Sequence, residues 1–360
     1  MYSLNKQKVD INKKNILITG AAGFIGAALV ERLLKFCINS TIIGIDNLNN
    51  YYDPKLKEYR LSEIKKKAEV SACKWIFKKA DIANKEELKE IFNNFHPQIV
   101  INLAAQAGVR YSIYEPDAYM LSNIIGFYNI LECCRYDKEL EHLIYASSSS
   151  VYGGNKKIPF CVEDPVDHPV SLYAATKKCD ELLAHSYSKL YNIPSTGLRF
   201  FTVYGPAGRP DMAYFSFTEK LKKGEKLEIF NFGNCQRDFT FIDDIIEGIV
   251  RVIQGAPIKE KGSDGLPVPP YSLYNIGGGE PGSLMDFIHI LSEELVYAGV
   301  LEKGFVIEDH INLVPMQPGD VPVTYADSSG LEQDYGFKPE IGLRIGLKEF
   351  ARWYKKWEGL

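Results

Sequence analysis

The sequence predicts an α/β protein: a doubly wound parallel sheet with a smaller C-terminal lobe. Three observations carry this. Short apolar runs recur without the alternation of a strand exposed on one face, as strands covered on both faces require. Amphipathic stretches of helical length separate them, giving the rhythm of parallel crossover units. The first run ends in a glycine-spaced turn that leads directly into the first helical pattern.

In order, Asn15–Thr19 reads as a strand, 24–36 as a helix, and Thr41–Ile45 as a second strand ending in Asp46. Further strands are predicted at 75–77, 99–103, 143–146 and 196–200, with helices over 85–95, 117–135 and 172–190 between them. After Arg199 the rhythm changes: Pro206, Pro210 and several glycines punctuate the chain, and 255–270 reads as a polar loop with a proline cluster. Phe241–Ile253 is expected to return to the first domain as a helix. At 360 residues the chain is long enough for about two domains and for a core without disulfide or metal staples.

The net charge of −4 lacks the basic field that binding to nucleic acid or an anionic membrane needs. The seven cysteines include no C-x-x-C pair, so the expectation is reduced thiols. Residues 1–14 form a polar leader without the apolar run of a signal peptide, and no apolar stretch reaches the roughly 18 residues of a membrane span. A soluble, cytoplasmic protein follows as the expectation. The six histidines are scattered, so no metal site is expected.

Gly20-Ala-Ala-Gly23-Phe-Ile-Gly26 closes the first strand and opens the first helix. Glycines at such a turn let the backbone approach a pyrophosphate at the positive end of a helix. The spacing is G-x-x-G-x-x-G, and Gly277-Gly278-Gly279-Glu-Pro-Gly282 offers a competing G-x-G-x-x-G before another helical pattern. Context separates the two. Gly26 is followed 20 residues later by Asp46 at a strand end, where a carboxylate accepts from ribose hydroxyls and repels a 2′-phosphate. The competitor has Glu302 at that distance, with no strand before it. A Rossmann-type domain binding NAD is therefore expected at the first motif. Asp81, at the next strand end, can accept from an adenine amino group, or is an ordinary exposed carboxylate. Asn102-Leu-Ala-Ala105 ends another strand with residues small enough for a ring to lie against them.

Tyr173-Ala-Ala-Thr-Lys177 falls in a helical pattern, so Tyr173 and Lys177 share one face. A phenol with an ordinary pKa near 10 needs a neighbouring cation to act as a base at neutral pH. Tyr51…Lys55 has the same spacing, but Pro54 makes an ordinary helix face unsuitable there. The serines Ser147–Ser150 follow the 143–146 strand, where a parallel sheet presents its loops to a ligand. Hydroxyls there can bond a reacting alcohol, or simply form a solvated turn.

These segments, with 46–54, 102–110, 147–154, 171–177, 198–206, 208–212, 237–239 and 317–320, resemble the extended short-chain dehydrogenase/reductases that modify nucleotide sugars. The UDP-glucuronate 4-epimerases are the nearest likeness. The resemblance implies NAD-dependent epimerisation at sugar carbon 4 through a 4-keto intermediate. It implies Tyr173 as acid/base, Lys177 holding it and the nicotinamide ribose, and Ser148 polarising the oxygen on carbon 4. Implied cofactor contacts are Gly20, Gly23, Phe24, Ile25, Gly26, Asp46, Asn47, Asp81, Ile82, Leu103, Ala104, Ala105 and Asn123. Implied substrate contacts are Arg110, Ser148, Ser149, Ser150, Thr202, Arg209, Arg237 and Asp320. Related glucose epimerases place arginine where Gln317 stands.

Position 150 separates the branches. Related dehydratases and decarboxylases carry Glu just before Val-Tyr-Gly, and the dehydratases use an Asp-Glu pair to remove a proton from carbon 5. Here Ser149-Ser150 precede Val151-Tyr152-Gly153, which favours simple epimerisation. The 4-keto form of a uronate is a β-keto acid, so its carboxylate must be held against loss of carbon dioxide. Thr202, Arg209 and the serines are the candidates, since an arginine fork matches a carboxylate. Alternatives are a 4-epimerase of UDP-glucose or UDP-N-acetylglucosamine, a UDP-glucuronate decarboxylase, or a non-catalytic NAD-binding protein. The expected domains are 15–204, with a returning segment near 239–254, for NAD, and mainly 205–360 for the nucleotide sugar. The resemblance also implies a homodimer pairing helices 117–135 and 172–190.

Overall fold

The computed structural model describes residues 5–316 and 321–360. Its centre is a seven-stranded sheet of β1 (Asn15–Thr19), β2 (Thr41–Asp46), β3 (Lys74–Lys79), β4 (Ile99–Asn102), β5 (His142–Ser148), β6 (Ser195–Phe200) and β7 (Tyr271–Ile276). The spatial order is β3-β2-β1-β4-β5-β6-β7, with every neighbouring pair parallel. The order reverses between β1 and β4. At such a reversal the loops leave in opposite directions and open a crevice at the carboxyl ends of the strands.

Both faces of this sheet are covered, which is why its strands read as unbroken apolar runs. Ile16 and Ile18 of β1 join the core beneath α1 (Phe24–Phe36) and the helix Ile242–Ile253, while Leu17 between them joins the opposite core with Val100, Phe92 and Leu131. The second core lies under α3 (Lys85–Phe95), α4 (Phe127–Tyr136) and α5 (Leu172–Tyr191). The 242–253 helix packs beside α1 on the other face of the sheet.

The smaller lobe is built around Gln236–Phe241. This strand pairs in parallel with Thr202–Tyr204 and antiparallel with Pro281–Ser283. The Phe239 and Phe287 rings stack across it at 4.5 Å. Phe287 belongs to the helix Leu284–Ala298, which packs with Leu343–Glu358.

Four features depart from the sequence reading. The predicted 117–135 helix divides into Pro116–Tyr119, a π-helical turn at Met120–Gly126 and α4. The wider turn carries Asn123 inward to the Gln106 backbone and presses Gly126 against Ile82. The stretch 255–270 is not simply a loop. Gly255–Pro257 pairs antiparallel with Lys6–Lys8 of the polar leader, and Glu260–Lys261 pairs with Pro267–Val268. Strand β7 comes from within the segment assigned mainly to the lobe and completes the sheet edge beside β6. Finally, α2 (Lys55–Ala68) carries no apolar stripe that the sequence would reveal, because its buried face mixes Leu56 and Ile64 with Lys57 and Arg60.

Candidate active site

A cleft of about 820 Å³ opens at the carboxyl ends of β1, β2, β4 and β5 and runs to the smaller lobe. Its floor is the glycine turn. Gly20 has φ +68°, and a Cβ there would stand 2.8 Å from the Ala104 amide nitrogen. A Cβ on Gly26 would be driven into the Gly20 carbonyl. The absence of side chains thus lets α1 and the 103–105 segment close on one point, leaving the first-turn amides of α1 without intrahelical partners. Thr19 ties this floor together: its hydroxyl donates to Asn102 Oδ1 at 2.7 Å and accepts from the Leu103 and Ala104 amides.

Asp46 stands at the end of β2, 8% exposed. Its carboxylate accepts from the Ala22 amide at 3.1 Å and the Leu48 amide at 2.8 Å, with Lys57 Nζ 3.7 Å away. Asn47 donates to Asp81 at 3.0 Å, and Asp81 also accepts from the Ala83 amide. Phe24, Ile25, Ile82 and Ala105 line the same end. A turn that only glycine can fill, a helix N-terminus and a strand-end carboxylate together fit a dinucleotide. The competing motif does not. The Gly278 and Gly279 amides donate to the fully buried Asp238 carboxylate, so the chain itself supplies the anion there.

Tyr173 and Lys177 enter the cleft from the first turns of α5. Ser171 caps this helix, its hydroxyl accepting from the Ala174 amide at 3.1 Å. Lys177 Nζ, buried, donates to the Ala146 carbonyl at 2.9 Å and to Asp180 at 3.1 Å. Ser148, Ser149 and Ser150 face the same space, with Ser148 Oγ donating to Ser150 Oγ at 3.2 Å. Ser147 is bonded away from them, donating to Glu181 at 2.6 Å, and Glu181 is itself forked by Arg199.

Thr202, Arg209, Arg237 and Arg110 line the far end. Arg209 is held by Asp211 through Nε at 3.1 Å and Nη2 at 2.8 Å. Arg237 donates to the Gln236 and Pro322 carbonyls, and the Arg110 guanidinium lies 5.1 Å from the Phe230 ring centroid. Of the expected site residues, Asp320 lies outside the described residues, as does Gln317. Asn123 does not reach the cleft: it is 1% exposed, and its amide joins Gln106 to Thr176. It shapes the wall from behind. All the others meet in the one space.

Sequence reasoning missed several neighbours. Arg60, 2% exposed, donates to the Ala207 and Gly208 carbonyls, to the Ala22 carbonyl of the glycine turn and to Tyr52. It thereby joins the cofactor-side turn to the segment carrying Arg209, where Ala207 takes φ +53°. Tyr51, Tyr111 and Tyr119 form an aromatic wall that reaches Tyr173 edge-on at 6.0 Å. Burial, with Asp211 beside Tyr51, pushes the Tyr51 and Tyr119 phenols up, so both stay protonated. Only the tyrosine-rich 51–52 stretch hinted at this wall.

Comparison with known proteins agrees with this geometry. The model of the NAD dependent epimerase/dehydratase family matches residues 16–277. Protein CapI of Staphylococcus aureus is 48% identical over 345 residues, covering 94% of this chain and 98% of that protein. UDP-glucuronate 4-epimerase 4 of Arabidopsis thaliana is 43% identical, covering 95% of this chain and 76% of that protein. The crystal structure of a UDP-glucuronic acid 4-epimerase from Bacillus cereus, in complex with UDP-glucuronic acid and NAD, superposes with a TM-score of 0.79. It is 32% identical and covers 95% of this chain and 99% of that one. The chain belongs to the NAD dependent epimerase/dehydratase family.

Proposed function

We propose that this protein is a UDP-glucuronate 4-epimerase, interconverting UDP-glucuronate and UDP-galacturonate through a 4-keto sugar. One observation carries the reading. Tyr173, Lys177 and the Ser148–Ser150 hydroxyls share a single cleft with the dinucleotide-fitting turn at one end and the Arg209 fork at the other. The named activities of the Arabidopsis and Bacillus cereus relatives support it.

In this reading Gly20, Gly23, Gly26 and Asp46 hold NAD, which when bound takes a hydride from carbon 4 and returns it to the opposite face. Tyr173 removes the proton of the carbon 4 hydroxyl and later restores it, with the Lys177 ammonium favouring the phenolate. Ser148 steadies the oxygen as it becomes a carbonyl. Among the described lining residues the carboxylates are Asp46, Asp81 and Asp211, none in the serine segment. Among these residues no carboxylate pair stands beside Tyr173 to take the proton of carbon 5 and expel a hydroxyl from carbon 6. Arg209, Thr202 and the serines hold the uronate carboxylate solvated, away from the geometry that loses carbon dioxide.

The alternative, a neutral UDP-sugar, turns on the Arg209 fork, which Asp211 holds at 2.8 and 3.1 Å. Arg209→Ala separates the two. Turnover of UDP-glucuronate falls about 10²-fold or more if its carboxylate takes the fork; an enzyme for neutral sugars keeps most of its rate. Proton NMR of the protein with UDP-glucuronate and catalytic NAD tests the reaction itself. UDP-galacturonate without carbon dioxide is the expected outcome. A UDP-pentose would make the protein a decarboxylase, and epimerisation of UDP-glucose alone would overturn the uronate assignment.

The protein is further proposed to be a cytoplasmic homodimer. All seven cysteines are free thiols, and no helix among the described residues is long and apolar enough to cross a membrane. Met120, Leu121 and Ile125, together with Leu182 of α5, are exposed on the two helical segments expected to pair. Apolar groups grouped this way suit a helix-on-helix interface.

A further inference from the structure

Two adjacent carboxylates of α5 lie buried behind the cleft, and their surroundings differ. Glu181 is bonded through both oxygens: Arg199 donates at 2.7 and 2.9 Å, Ser147 at 2.6 Å and Lys178 at 3.4 Å. Asp180, 1% exposed, has one partner, the Lys177 ammonium at 3.1 Å. Its second oxygen, Oδ1, is buried with none. A buried carboxylate with half its bonding capacity unused is costly, and such groups gather where they serve a site. The group Asp180 does serve is Lys177, whose other bond goes to the Ala146 carbonyl. An ammonium has three protons, so one N–H remains for the cleft.

We propose that Asp180 is a positioning residue of the reaction: it fixes the Lys177 ammonium against Ala146 and offsets its charge, setting the pH at which Tyr173 gives up its proton. This inference rests on the reading of Tyr173 as acid/base.

The charged and titratable groups around Asp180 are few. On α5 these are Lys177, Lys178, Cys179 and Glu181, and Glu181 is matched by Arg199 of β6 and by Lys178 at 3.4 Å. From the sheet comes Tyr145 of β5, whose hydroxyl bonds Tyr271 of β7 at 2.8 Å. Burial raises the Asp180 carboxyl to about 7, with Lys177 opposing the rise and Glu181 adding to it. The offset on Lys177 is lost as Asp180 takes up its proton.

Asp180→Asn tests this, because the amide keeps the shape and removes the charge. Unopposed, the ammonium stabilises the Tyr173 phenolate more strongly. The acid limb of the pH–rate profile then moves down by about half a pH unit or more. Asp180→Ser removes the charge with less bulk and covers the case in which the amide does not pack. A second readout does not depend on turnover: NMR titration of protein carrying ¹³C-labelled tyrosine ζ carbons, with the Tyr173 signal identified by its loss in Tyr173→Phe. Its midpoint should fall in step with the acid limb. An unmoved Tyr173 midpoint in both folded charge-removed variants overturns the inference while leaving Tyr173 as the base. A Tyr173→Phe enzyme that turns over normally overturns the reading beneath it.

Discussion

His142 is a residue whose chemistry the fold has turned off. It is fully buried on β5, its ring bonded to Thr196 Oγ1 at 2.8 Å through Nε2 and to the Ile253 carbonyl at 3.2 Å through Nδ1. Burial lowers its pKa from 6.5 to about 4, only partly opposed by that carbonyl. The unfolded chain therefore takes up a proton near pH 6.5, while the folded chain resists until about pH 4. Stability from this site is full above pH 6.5 and is lost as pH falls through that window, on the order of 3 kcal/mol in all. Urea unfolding of wild type and His142→Gln from pH 7 to pH 4 checks it: the wild type should lose stability more steeply. Parallel pH dependences would reject the assignment. At this scale the sequence is informative about residue type and blind to partners. Tyr173 and Lys177 were legible because an i, i+4 spacing is local. The Asp211 grip on Arg209 and the lone pairing of Asp180 were not.

Elements are legible where one face decides them. β1, α1 and α3 fall at their expected bounds, since an apolar run or a 3.6-residue stripe is a property of neighbouring residues. The Lys55–Ala68 helix fails that test because Lys57 and Arg60 bury their charges against acceptors that the chain supplies from elsewhere. The glycine turn is the element on which the site depends most. In Gly26→Ala the new methyl meets the Gly20 carbonyl, a backbone group that cannot rotate away, so α1 must retreat from the turn. Expected results are loss of copurifying NAD and about 1–3 kcal/mol of stability, read by cofactor release on denaturation and by thermal unfolding. Gly154→Ala, with nothing within 4 Å of the added Cβ, is the matched control and should change neither.

For the whole molecule, the reversal of strand order between β1 and β4 places the cleft, and Arg60 joins its two ends through backbone carbonyls. The proposed homodimer belongs to this scale too. Leu121 and Leu182 are 56% and 57% exposed on the two helical segments expected to pair. A charge on each desolvates badly in an apolar interface and is harmless in water. Leu121→Asp with Leu182→Asp should convert a dimer mass to a monomer mass in sedimentation while leaving thermal unfolding cooperative. A wild-type monomer would remove the proposal.

By itself the sequence determined the parallel sheet, the cofactor-type turn with Asp46, the Tyr173–Lys177 pair and the serine run beside it. Each is written in residues a few positions apart, where periodicity and turn chemistry act. Only the tertiary structure decided that 271–276 closes the sheet edge and that Asp238 fills the competing glycine motif. It alone decided that Asn123 stands behind the wall, that Arg60 bridges the cleft, and that Asp180 stands alone with Lys177. These depend on which distant groups share a buried space. There an unpaired charge or amide is expensive enough to dictate its partner, and no local pattern records the choice.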